Sequence, residues 1–441
     1  LSRGGECGAE GRADGSGRNR REEASVTKTI RIGIIGAGFR GIKCFGEILA
    51  GRSDATVAAL ADPNPERLRA ARELLGGADI ELHTENDALL ADETLDAVVV
   101  TVPDRDHREV ITAALRAGKH VLADKPLATT TGDCKAIVQA ARETGRIVDM
   151  GFNLRHHGVC LKIRELIGEG AIGRLISIDE RAYYWGGRTY MSRWNRFYEM
   201  SGGLFVHKGS HDFDLMNWYN PGGLPAAVSA FAGVEALRED RLPFELEPGE
   251  AIGPTCGACA VAYKCRDRVE QDETAAALFG GAAGEAEAYD RDTCLFLSEK
   301  DTHDNGVAIV EYDNGVRCSY WEVFFTPVST RRFTIIGDRG HLDADLTERR
   351  ITLHPRWTKD RVDYTVAPAE GLHGGADPAM VETFLRNLRE GRTPAATLYD
   401  GTISVAVGEA AERARREGRV VRVEELVTAA ELAELFPERR G

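Results

Sequence analysis

Long apolar runs are missing from this sequence of 441 residues. No stretch approaches the roughly 20 consecutive apolar residues that a membrane-spanning helix requires, which argues against a membrane partner or anchor of that kind. A surplus of positive charge is missing too: 56 Lys and Arg stand against 70 Asp and Glu, a formal net charge of −14. Surfaces that bind nucleic-acid phosphates or anionic lipid are normally basic, so neither partner is expected. Cysteine is sparse, at nine, and most stand singly within apparent helices and strands, as Cys44, Cys134, Cys160 and Cys318 do. That pattern suits a reducing cytoplasm, the expected location, better than a disulfide framework. Residues 1–28 are dominated by Gly, Arg, Glu and Ser and lack the apolar segment of a secretory signal; they read as a disordered tail. What remains is an ordinary globular composition, 43% hydrophobic, with length enough for two or three domains.

The most informative stretch runs from Thr29 to Asp62. An apolar run, Ile30 to Ile35, ends in Gly36-Ala37-Gly38-Phe39-Arg40-Gly41 and continues as a helical pattern, a second apolar run and Asp62. A strand that ends in G-x-G-x-x-G and enters a helix is a dinucleotide-binding turn. Gly36 permits the tight turn, Gly38 lets the backbone approach a pyrophosphate, and Gly41 lets helix and strand pack closely. The helix N-terminus would face the diphosphate. Asp62 stands where a carboxylate would accept the ribose hydroxyls, which favours NAD over NADP, although Arg67 is nearby and an Asp before Pro63 is also ordinary turn chemistry.

Strand and helix patterns alternate as far as Met150, which predicts a parallel, doubly wound sheet over 29–150. Functional groups in such sheets gather at the carboxyl ends of strands. Phe39, Arg40, Pro103 and His107 are accordingly candidate cofactor contacts beside the glycines and Asp62. Lys125, in the Asp124-Lys125-Pro126 loop after the strand His120 to Ala123, leaves the sheet on the same side. Residues 151–376 predict a second domain, mostly antiparallel, with a long strand Leu175 to Trp185 and a hairpin around Asp313-Asn314-Gly315. Residues 377–441 read as helices that pack back on both. An irregular segment, 237–293, is unusually long for a loop inside a compact domain.

These features together resemble the Gfo/Idh/MocA superfamily, which contains glucose-fructose oxidoreductase and inositol dehydrogenase. The resemblance rests on Gly33 to Gly38, Ala117 to Ala128, the run from Gly202-Gly203 through Gly209, His211 and Asp214, and the closing helix after Asp400-Gly401. It implies a Rossmann domain, a C-terminal domain whose open sheet often mediates homodimers or homotetramers, and NAD(P)-dependent oxidation or reduction of sugars and polyols. Position by position, Lys125 falls on the family's Glu-Lys-Pro lysine, His211 on its catalytic histidine, and Asp214 on the acidic residue after it. Asp124 replaces the usual Glu, and His207 stands where an Asp most often pairs with the histidine.

Oxidising a secondary alcohol requires a base for the hydroxyl proton and a cation near the developing alkoxide, roles that suit His211 and Lys125. His207, His211 and Asp214, at i, i+4 and i+7, would share one helix face. An Asp at 207 would favour the imidazolium of His211, and a second histidine does not. The proton step is therefore expected to work at lower pH than in relatives with Asp, unless Asp214 takes over the pairing. The bland readings are a core histidine, a solvated lysine, a capping aspartate, or a metal site built from the two histidines and Asp214. Tyr184, Trp185, Trp194, Lys208 and Arg155 are candidate substrate contacts, with a core edge and surface loop as the other reading. Cys256, Cys259, Cys265 and Cys294 are candidate ligands of a structural zinc that would hold the irregular segment, with free thiols as the alternative. Two rival functions stand beside the dehydrogenase: an NAD-dependent glycoside hydrolase of the same superfamily, and a nucleotide-sensing regulator without turnover.

Overall fold

The computed structural model describes residues 28–439 apart from 271–272, 282–283 and 285–290. The expected disordered tail therefore lies outside the described residues, Lys28 excepted. Six strands form the first sheet: β1 (Ile30–Ile35), β2 (Ala55–Ala61), β3 (Glu81–His83), β4 (Ala97–Val100), β5 (His120–Ala123) and β6 (Val148–Met150). Their order is β3-β2-β1-β4-β5-β6, and every pairing is parallel. Parallel strands covered on both faces must be apolar throughout, and Ile34, Ile35 and Val98 to Val100 are completely buried. Chain direction across the sheet reverses between β1 and β4. A crevice opens there at the carboxyl ends, where the glycine turn, Pro103 and the Asp124–Pro126 loop gather.

The second sheet has nine strands in the order β14-β13-β12-β11-β7-β10-β9-β8-β15. They are β7 (Leu175–Trp185), β8 (Pro225–Gly233), β9 (Asn305–Tyr312), β10 (Arg317–Val323), β11 (Phe325–Gly337), β12 (Gly340–Asp345), β13 (Arg350–Pro355), β14 (Val362–Thr365) and β15 (Val421–Arg422). Pairing is antiparallel except between β7 and β10. Side chains alternate between two faces. One face supplies Val310, Tyr312, Tyr320, Phe333 and Ile335 to a core shared with the helices Gly158–Gly168, Ser210–Tyr219 and Leu398–Glu417. The other face is open and leaves Phe231, Ile309, Trp321 and Ile336 exposed.

The last helices join the two cores. Helix Ala376–Glu390 inserts Met380, Val381, Phe384 and Leu385 beside β1, whereas Leu398–Glu417 packs mainly on the second sheet. Among the described residues no helix is long and apolar enough to cross a membrane. Part of the irregular segment has structure: helix Glu273–Phe279 buries Leu278 and Phe279 in the core that contains β1 and β2. The expected continuous helical face from His207 to Asp214 is not formed. Gly202 and Gly203 take positive φ, a short helix covers Leu204–His207, and a separate one begins at Ser210.

Candidate active site

The glycine turn is sterically fixed. Gly36 has φ of 96°, and a Cβ there would lie 2.8 Å from the Thr101 carbonyl. A Cβ on Gly41 would sit 2.2 Å from the Gly36 oxygen, whereas one on Gly38 would meet nothing nearer than the Phe279 ring, 3.7 Å away. Close approach is thus needed at the first and third glycines, and the second faces open space in which a diphosphate would fit. The following segment, Arg40–Gly46, is wound as a π-helical turn before the α-helix Glu47–Ala50. Asp62 is buried and accepts from the Ala37 N–H at 3.0 Å, the Asn64 N–H at 2.9 Å and Arg67 Nη1 at 2.9 Å. Its carboxylate therefore ties the glycine turn to the end of β2. The Arg67 guanidinium in turn lies 4.9 Å from the Phe279 ring centroid.

Two candidate cofactor contacts are engaged within the protein. Arg40 donates to both oxygens of Asp124, at 2.9 and 3.1 Å, and lies against the buried Asp377. Asp124 thus anchors the glycine turn to the loop that carries Lys125. His107 is buried with its two ring nitrogens against the Pro126 and Val102 carbonyls, at 2.7 and 3.1 Å. It holds the loops after β4 and β5 together. Pro103 precedes the single turn Asp104–Asp106.

Lys125 and His207 do meet, and Lys125 lies near enough to His211 to lower its pKa. Lys125 Nζ donates to the His207 carbonyl at 2.8 Å. Burial lowers its pKa, although Asp104 and Asp124 pull the other way. His207 Nδ1 lies 2.6 Å from Asp104 Oδ2, and its ring is edged by Trp194 and Tyr190 at centroid distances of 5.3 and 5.9 Å. Burial pushes Asp104 up to about 8 and holds His207 well below the usual imidazole range, Lys125 adding to the latter. A neutral acid bonded to a neutral imidazole is the form this burial favours. Nδ1 then accepts and Nε2 carries the proton. Asn195 stands 3.4 Å from Nε2 with a buried Oδ1 that has no partner, and turning its amide over would let that oxygen accept the Nε2 proton.

His211 is buried, and its Nδ1 has no hydrogen-bond partner among the described residues. Burial holds its pKa well below the ordinary value, reinforced by Lys125, Lys208 and Arg331. The imidazole is neutral at pH 7, as a base must be. Asp214 is elsewhere. Arg155 donates to both of its oxygens, at 2.8 and 2.7 Å, and also reaches Asp400 at 3.1 Å and the Ala395 carbonyl at 2.7 Å. The alternative in which Asp214 pairs with His211 is therefore corrected. The break at Lys208–Gly209 rotates the second helix, and Asp214 with Arg155 becomes a buried tie between that helix, residues 153–156 and the closing helices.

Sequence reasoning missed Asp104, Tyr190, Asp212 and Arg331. Asp212, completely buried, pairs with Arg331 and accepts from the Tyr320 hydroxyl at 2.9 Å. Tyr320 also lies 2.9 Å from Glu322, which meets His303 at 2.5 Å. Arg331 reaches Glu180 at 3.3 Å, and burial beside Asp212 holds the Glu180 carboxyl well above the usual range. Lys208 feels the charges of this network; its Nζ sits 4.0 Å from the Tyr184 ring centroid, and burial and Arg331 push its pKa far down. Of the other substrate candidates, Trp194 borders His207, whereas Trp185 is 57% exposed at the end of β7 and its backbone N–H donates to the Ser329 hydroxyl.

The four cysteines share a neighbourhood. A single bridge between Thr255 and Thr293 brings Cys256 and Cys294 together, and the Val269 N–H lies 3.3 Å from Cys256 Sγ. No three of their sulfurs, however, come within 4.8 Å of one another. The side chains do not converge as the ligands of one tetrahedral ion do.

Residues 30–152 match the Gfo/Idh/MocA family described as "Oxidoreductase family, NAD-binding Rossmann fold", and residues 164–423 match its "C-terminal alpha/beta domain". The chain is 32% identical over 363 residues to YteT of Bacillus subtilis, an oxidoreductase by name, covering 75% of this chain and 82% of that protein. It is 23% identical over 400 residues to a myo-inositol 2-dehydrogenase of Thermotoga maritima, covering 90% and 100%. The solved structure of a levoglucosan dehydrogenase with NADH and levoglucosan shares the fold, with a TM-score of 0.69 at 18% identity over 90% of this chain and 100% of that one. With a glycine turn at the switch point of a parallel sheet, a lysine and histidines meeting at its carboxyl edge, and both matched segments in order, the chain belongs to the Gfo/Idh/MocA family of NAD-binding oxidoreductases.

Proposed function

We propose that this protein transfers a hydride between a nicotinamide dinucleotide and the hydroxyl-bearing carbon of a sugar, polyol or sugar derivative. The observation that carries the reading is the meeting of Lys125 and the His207–Asp104 pair with a neutral, buried His211, at the carboxyl edge of β4 and β5. A bound nicotinamide supplies the hydride acceptor or donor. His211 takes the hydroxyl proton, and Lys125, held against the His207 carbonyl, stabilises the alkoxide oxygen. His207 and Asp104 position Lys125. Tyr184, Trp194 and Lys208 are assigned to the substrate side, and Gly36, Gly38, Gly41 and Asp62 to the cofactor.

NAD is favoured over NADP, because the buried Asp62 carboxylate opposes a 2′-phosphate; Arg67 is already paired with it. The exposed Phe231, Ile309 and Trp321 of the open sheet support association with a second copy of the chain. The test is NADH formation with purified protein, NAD and a panel of sugars and polyols. NADH should accumulate with at least one of them, and His211→Ala and Lys125→Ala should each lower kcat by about 10²- to 10⁴-fold. Glycoside cleavage without NADH, or full turnover in His211→Ala, would overturn the reading.

A further inference from the structure

The geometry points to a divalent transition-metal site on the open face of the second sheet, formed by His341, Asp343 and His354. It is separate from the candidate active site and from the cysteines.

The site follows from register. β12 and β13 pair so that His341 lies directly opposite His354, and Asp343, two residues along β12, shares the face with His341. The two imidazoles stack with centroids 4.5 Å apart and planes 15° from parallel. Both Nε2 atoms lie 3.5 Å from Asp343 Oδ2, and the three ligand atoms fall within 4.8 Å of one another. A separation of 3.5 Å is too long for a hydrogen bond, which closes to about 3.2 Å at most. It is the edge expected of a tetrahedron: ligand bonds of about 2.0–2.2 Å set neighbouring donor atoms roughly 3.4 Å apart.

A second observation concerns the carboxylate. The Thr334 hydroxyl on β11 donates to Asp343 Oδ1 at 2.7 Å, which fixes the carboxylate and leaves Oδ2 directed at the two histidines. Outer hydrogen bonds of this kind orient metal-ligating carboxylates. His341 and His354 also line a cleft of about 670 Å³ with Pro355 and Gly340, so a fourth position stays open to water or a small anion. Two imidazoles and one carboxylate form a borderline donor set that suits Zn²⁺, Co²⁺ or Ni²⁺ better than Ca²⁺ or Mg²⁺.

Calorimetric titration of the full chain with Ni²⁺ and with Zn²⁺ tests the site. One site should be present in the native protein, lost in His354→Gln and in His341→Gln, and weakened about 10-fold in Thr334→Val. The ligands are part-exposed, so the variants should fold; circular dichroism checks this. A Cys256→Ser, Cys259→Ser variant separates the thiols and should keep the Ni²⁺ site. Metal binding that persists in both histidine variants but vanishes in the cysteine variant would overturn the assignment, as would the absence of Ni²⁺ and Zn²⁺ binding to the native chain.

Discussion

The His207–Asp104 contact fixes where one buried proton sits, and Asp104→Asn reads it out. In the native state the pair is neutral and holds one proton until Asp104 ionises at about pH 8. An unfolded chain holds one proton on the same two residues between about pH 3.9 and 6.5, on the histidine, and none above. Between about pH 3.9 and 6.5 the two states bind equally, and the pair adds no slope. From about pH 6.5 to 8 the native state binds one more, so stability falls as pH rises, by about 1.4 kcal/mol per unit or about 2 kcal/mol across the window. Asp104→Asn cannot carry that proton. Its amide N–H can still donate to Nδ1, so a neutral bond replaces a neutral bond at a cost of about 1 kcal/mol. Urea denaturation of both proteins at several pH values from 6.5 to 8 should therefore show the native protein the more stable by about 1 kcal/mol at pH 6.5 and losing that advantage by pH 8. A constant difference across that window would refute the neutral pair. So would a loss of about 3–5 kcal/mol at pH 7, the cost of stranding one charge of a buried ion pair.

Three further outcomes are expected. Gly41→Ala should abolish NAD binding, measured by calorimetry, because its Cβ would collide with the Gly36 oxygen at 2.2 Å and displace the turn. Tyr320→Phe should destabilise the second sheet by about 1–3 kcal/mol, since the hydroxyl lies between two buried carboxylates that no water reaches; unchanged urea midpoints would count against that network. The acid limb of kcat/KM, which reports the free enzyme's base, should lie below the ordinary histidine range, because burial and three nearby cations disfavour the imidazolium of His211; a limb at or above about pH 6.5 would remove His211 as the base.

Elements set by local pattern were legible in the sequence. β5 and β7 begin and end where the sequence predicts them, at His120–Ala123 and Leu175–Trp185, and the Asn314-Gly315 turn joins β9 to β10, with Gly315 at φ of 83°. Pairing across the fold was less so. Asp104 reads as one more polar residue in the Pro103-Asp104-Arg105-Asp106 turn, and only the approach of the β4 loop to residue 207, 103 positions away, makes it the partner of a histidine. Arg331 lies in a strand that alternates faces, and its burial depends on Asp212 and Glu180 being there to receive it.

The spacing of His207, His211 and Asp214 failed for a definite reason. A helical period relates side chains only while the helix continues, and the Gly209 N–H reaches back to the Leu204 carbonyl at 3.0 Å, which ends the first turn before Ser210 starts the next. Asp214, freed from the first turn's face, is then claimed by Arg155, whose planar fork matches a carboxylate better than a neutral imidazole does. Asp214 is thereby lost to His211, whose Nδ1 has no partner among the described residues, while His207 pairs with Asp104. The residue that departs from the family's usual Asp thus still sits beside a carboxyl group, now supplied by the first sheet rather than by position 207 itself.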